Sequence, residues 1–88
     1  MATKPPSPIE EFPPETLEQI AYSVVAGIEV REPNDRNRLG YNLWAWLKDR
    51  KGTLEQTIRA AGARTNVDEK QILETIKKGL QERGIKVT

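Results

Sequence analysis

Apolar residues recur along this chain at three- and four-residue intervals in four stretches, each bounded by proline, glycine or a capping side chain. That pattern predicts short amphipathic helices. Leu17, Ile20, Ala21, Val24, Val25 and Ile28 fall on one broad face when projected at about 100° per residue, with Glu18, Tyr22 and Glu29 on another. The first helix is predicted to open near Pro14, with Thr16 and Gln19 in capping-box spacing, and to end between Ala26 and Val30. Arg31 to Asn37 contains Pro33 and Asn34 and reads as a connector. A second helix is predicted over roughly Asp35 to Arg50. Its core stripe is Leu39, Leu43, Trp46 and Leu47, with Trp44 on the flank and Tyr41 and Lys48 on the far side.

Thr53 and Gln56 repeat the capping-box spacing and open a third helix that runs to about Ala61, with Leu54, Ile58 and Ala61 inward and Gly62 as a left-handed stop. A fourth is predicted over about Asn66 to Arg83. Asn66 is its expected N-cap, Asp68 and Glu69 lie near its positive end, and Ile72, Leu73, Ile76 and Leu80 form its inward face. After Gly84, Ile85 and Val87 alternate like a short C-terminal strand. Gly27 to Val30 has the same apolar spacing, so a two-stranded ribbon could join the segments 27–30 and 85–88.

Stripes of this kind must cover one another. The fold expected is mostly α, a compact bundle of three to four helices. Five of the six prolines lie in residues 1–14, which predicts an extended arm (1–14) ahead of a single helical domain (15–88), with Ile9 and Phe12 as its apolar anchors. Leu, Ile, Val and Phe supply twenty of the 88 residues, just above the roughly one-fifth below which chains tend to disorder.

Charge adds an asymmetry. Residues 1–30 carry one lysine against five glutamates, a net of −4, whereas residues 31–88 carry thirteen basic against eight acidic side chains, a net of +5. Such a layout can guide a partner or a second copy, though two solvated faces of opposite sign would also produce it. The uncharged stretch from Gln19 to Ile28 is far shorter than the about 20 apolar residues that span a bilayer. No membrane insertion is expected, and the expected location is cytoplasmic.

The chemistry available is narrow. Histidine and cysteine are absent, which removes the commonest general base, thiol chemistry and the usual zinc, copper and iron ligands. Ser7 and Ser23 have no histidine to activate them. The pair Glu10-Glu11 lies in the arm, and the helix dipole accounts for Asp68-Glu69. The expectation is a non-enzymatic protein with no cofactor and no metal.

Two binding surfaces can be read. Both tryptophans and one of the two tyrosines fall between Tyr41 and Trp46. Trp and Tyr bury large areas with few rotors to freeze, so they favour the centres of contact surfaces. Tyr41, Trp44 and Lys48, with Arg36 and Arg38 as a charged rim, form the first candidate, for an unidentified protein partner or for self-association. The plainer alternative is that Trp44 is covered by the N-terminal arm. The second candidate is nucleic acid. The third and fourth helices resemble a helix-turn-helix outline, with Arg59, Arg64, Lys70, Lys77 and Lys78 available to phosphates. Against it, the connector exceeds the usual 3–4 residues, and Asp68 and Glu69 stand where a recognition helix would enter the groove. A small subunit held against a membrane complex would use the same aromatic surface.

The run from Asn37 to Arg50, together with Glu32-Pro-Asn-Asp35 before it, resembles a family of small cyanobacterial proteins of unknown function. The resemblance covers the chain from about Thr16 onward. It implies a bacterial setting, cytoplasmic or thylakoid-associated, and carries over no catalytic or binding residue.

Overall fold

Proline starts two of the helices, and that choice sets where each begins. The computed structural model describes residues 12–87, which hold four helices: α1 (Pro14–Val25), α2 (Pro33–Asp49), α3 (Leu54–Ala61) and α4 (Glu69–Glu82). The mostly α bundle predicted from the pattern is the fold observed. In α1, Pro13 is the N-cap and Pro14 the first helical residue, where a missing N–H costs nothing. Thr16 is therefore inside the first turn, and the capping box expected of it is not formed. In α2, Pro33 plays the same part, with Glu32 as N-cap. The helix begins two residues before Asp35, and the connector shrinks accordingly. Pro33 starts a helix here; reading it as a turn former mistook its role.

α3 follows its expected signals closely. Gln56 N donates to Thr53 Oγ1 at 3.0 Å, Thr53 N donates to Gln56 Oε1 at 2.9 Å, and Gly62 closes the helix at φ 63°. In α4 the N-cap is Asp68, whose Oδ1 accepts from Gln71 N at 2.8 Å; Asn66 lies two residues outside. Asp and Asn cap equally well, so the side chain that sits opposite the first free amides decides.

α1 packs most extensively on α2, and α3 and α4 close the other sides. Leu39, Leu43, Trp46 and Leu47 point inward, meeting Leu17, Ala21, Val24 and Val25 from α1, Ile58 from α3, and Ile72, Ile76 and Leu80 from α4. Leu73 is only partly buried. The α1–α2 approach depends on Gly40, because a Cβ there would lie 2.4 Å from Tyr22 Cδ1. Tyr22 thus packs flat along the seam, although its place on the helical projection had put it on the polar side.

No ribbon joins 27–30 to 85–87. Val30 instead forms an antiparallel bridge with Thr65, flanked by Arg31 N to Arg64 O at 3.1 Å and Asn66 N to Glu29 O at 3.2 Å. Ile85 is buried, and its N–H is taken by Leu80 O at 2.9 Å in closing α4, which removes it from any strand ladder. The arm expected over 1–14, with Ile9, lies outside the described residues as far as residue 11. Phe12 packs against the core.

Candidate protein-binding surface

The outer side of α2 faces away from α3 and α4, and its side chains are ordered by neighbours three and four residues apart. Trp44 is partly buried beside α1, where its Nε1 donates to Pro14 O at 3.0 Å. One turn on, Lys48 Nζ lies 3.8 Å from the centre of the Trp44 ring, a cation–π contact. One turn back, Tyr41 meets Trp44 edge to face, with ring centres 6.0 Å apart at 75°. Tyr41 is 58% exposed, the one large apolar side chain among the described residues left open to this extent. Tyr41, Trp44 and Lys48 therefore form one continuous patch, and Arg38 stands exposed beside it with no carboxylate in ion-pair reach among the described residues.

Arg36 does not join that patch. Its Nη2 donates to Ile28 O at 2.9 Å, and its Nε is buried with no partner among the described residues. The guanidinium ties the start of α2 to the segment after α1, so it acts as a strut and not as a rim.

The cations proposed for nucleic acid are divided. Arg59 pairs with Glu69 Oε2 at 2.9 Å and Glu55 Oε2 at 3.0 Å, and the Glu69 hydrogen bond, then the Glu69 and Glu55 charges, hold its guanidinium above the usual value. Arg64 lies 3.4 Å from Glu32 Oε1 and 3.6 Å from Asp35 Oδ1. Lys70 and Lys78 are exposed and Lys77 is partly buried, all on α4. Two of the five candidates already face carboxylates.

Among the described residues Asp35 is the one buried charged side chain, at 2% exposure, and the pattern of apolar positions gave no sign of it. Glu32 N donates to its Oδ2 at 3.2 Å. Burial alone would raise its carboxyl, but the backbone and guanidinium charge of Arg64 and the amide of Glu32 outweigh that and hold it below the ordinary carboxylate value. The spacing of Glu32-Pro33 before Asp35 is the cue that could have found it, since residue N3 of a helix commonly turns back to the N-cap amide. Arg64 as its partner comes from the other side of the fold, and no local spacing announces it.

Ser23 Oγ accepts from Arg83 Nη2 at 3.1 Å. Among the described residues no three acidic side chains converge as a metal cluster would require, and no helix is long and apolar enough to cross a membrane. No protein-family model, no curated protein and no solved structure matches the chain.

Proposed function

We propose that this chain is a non-enzymatic adaptor or accessory domain that binds another protein, or a second copy of itself, through Tyr41, Trp44, Lys48 and Arg38. The observation that carries the reading is an exposed tyrosine held edge-on to a tryptophan that is itself fixed by Pro14 O. A patch already ordered loses little side-chain entropy when it is covered, which favours binding over a loose surface of the same composition. Arg38 and Lys48 supply positive charge at the edge and would steer an acidic partner. A bacterial, cytoplasmic setting belongs to the same reading and rests only on the resemblance of the central run.

The test compares wild type with Tyr41→Ala and with Lys48→Glu, both exposed positions at which the fold is expected to survive. Sedimentation velocity across a concentration series, and capture on immobilised protein, should both register reduced association for the variants. Association that is unchanged in both, with the variants folded by circular dichroism, removes the reading. Nucleic acid is the second reading, with Lys70, Lys77 and Lys78, which have no ion-pair partner among the described residues, as the contacts. It predicts binding to generic DNA or RNA that falls steeply between about 50 and 200 mM salt.

A further inference from the structure

On the other side of α2 from the aromatic patch, the end of the helix turns into a cleft of about 460 Å³ between α2, the start of α3 and α4. Trp46, Leu54, Leu73 and Val87 give it apolar walls, and Arg50 and Lys77 both border it. Arg50 closes α2 in the left-handed region at φ 56°, where a side chain is strained and persists only when its surroundings fix it. Its guanidinium lies 4.2 Å from the centre of the Trp46 ring, and its Nη2 donates to Lys86 O. The cation is thus held in place by a ring and a carbonyl, neither of which neutralises it.

The charge balance of the cleft is one-sided. Burial pulls the Arg50 guanidinium below its usual value, and no carboxylate among the described residues offsets that. Among the described residues Glu55 is the one acidic side chain lining the cleft, and it is turned to Arg59 at 3.0 Å. Lys77 has no ion-pair partner among the described residues, and the positive end of α3 adds its first turn to the same wall. A partly desolvated cation that lacks a counter-charge gains more from an incoming anion than an exposed one does. Apolar walls beside it select an anion that carries hydrocarbon, and the volume suits a small molecule or the last residues of a peptide.

We propose that the Trp46–Arg50–Lys77 cleft is a binding site for an apolar group ending in a carboxylate, with Arg50 and Lys77 meeting the carboxylate and Leu54, Leu73 and Val87 covering the hydrocarbon. Two sources supply that chemistry: a free hydrophobic acid, or the C-terminal carboxylate of a peptide with an apolar last residue. The site is separate from the Tyr41 patch and does not depend on it.

The test uses the full chain carrying Trp44→Phe, which leaves Trp46 as the single tryptophan reporter, with circular dichroism to verify the fold. Its fluorescence is titrated with 3-phenylpropionate and with an acetylated tetrapeptide ending in leucine, each beside its neutral amide. At least one carboxylate should bind with a Kd on the order of 1 mM or tighter, and its amide should bind at least about tenfold more weakly. Which of the two binds identifies the source. Arg50→Met should abolish the preference for carboxylate over amide. Should that variant not fold, Lys77→Met, at the rim, should still weaken carboxylate binding about threefold or more while leaving the amide unchanged. Equal binding of acid and amide, no response to either acid, or an undiminished carboxylate preference in a folded Arg50→Met or in Lys77→Met overturns the proposal.

Discussion

Trp44 and Trp46 sit two residues apart on α2 and carry the same local arrangement. Each indole N–H donates to a backbone carbonyl, Pro14 O for one and Gly52 O for the other, and each ring has a cation four residues on lying against it. The difference lies in what surrounds the cation. Lys48 is exposed, so water competes for its charge, while Arg50 is partly buried and also anchored to Lys86 O. A two-residue step along a helix turns the side chain by about 200°, which is enough to place one copy of the arrangement at the core and the other at the surface. The local motif is the same, and burial decides whether it holds the fold together or offers a face.

The largest test of that contrast is truncation of each ring. Trp46→Ala removes a side chain that is 6% exposed and opens the core between α2 and α3, so a loss of about 3–5 kcal/mol is expected. Trp44→Ala removes a partly buried ring from the flank and should cost about 1–2 kcal/mol, less than full burial would imply. Urea unfolding followed by circular dichroism measures both. Equal losses would erase the distinction between core and face.

The seam beneath Trp44 supplies a second test. Gly40→Ala drives a Cβ to within 2.4 Å of the Tyr22 ring, and overpacking of this kind costs about 1–3 kcal/mol. Combining it with Tyr22→Ala should restore part of that loss, because the clash disappears with the ring. Additive losses would mean that the helices do not approach as closely as the seam requires.

Arg50 tests the other tryptophan. Arg50→Ala keeps the left-handed strain and loses the stack on Trp46, for an expected cost of about 1–2 kcal/mol. Arg50→Gly also loses the stack but removes the strain, so it should be more stable than the alanine variant by about 1 kcal/mol. If the two variants are equally stable, the backbone at this C-cap is not strained.

Acid probes a link that neither tryptophan shares. The Asp35 carboxyl is lowered in the fold, so its contribution is complete above the unfolded value of about 3.8 and is lost as pH falls through the lower folded value. Below about pH 4 the urea midpoint of wild type should therefore fall more steeply than that of Asp35→Asn, which has no carboxylate to protonate. Parallel curves would place the acid sensitivity elsewhere.

The same contrast explains which parts of the structure the sequence carried. The inward stripe of Leu39, Leu43, Trp46 and Leu47 and the caps of α3 were legible because spacing along one helix determines them. The grouping of Tyr41, Trp44 and Lys48 was legible for the same reason. The partners of Arg36 and Arg50, and the Arg64 partner of Asp35, were not, since Ile28 O, Lys86 O and Arg64 all lie outside the helix that carries the side chain. Helical projection assigns a direction to a side chain; it does not identify the carbonyl or carboxylate waiting there. The start of α2 was missed for a local reason, because Pro33 is compatible with both a turn and a first helical residue, and only the Glu32–Asp35 contact separates the two.

The finest test asks whether the two cation–ring contacts differ in the way their surroundings imply. A double-mutant cycle on Lys48 and Trp44, using Lys48→Gln and Trp44→Leu, isolates the coupling at the surface. An exposed pair of this kind is worth about 0.5 kcal/mol, and screening should reduce it further as salt rises from low ionic strength to about 1 M, where the Debye length is about 3 Å. The matching cycle on Arg50 and Trp46, with Arg50→Gln and Trp46→Leu, should return a larger coupling, about 1–2 kcal/mol, that changes little with salt, because the contact is partly desolvated. Couplings of equal size and equal salt dependence would mean that burial does not distinguish the two pairs. Lys48 would then be as firmly committed to its ring as Arg50, and no longer free to meet an acidic partner.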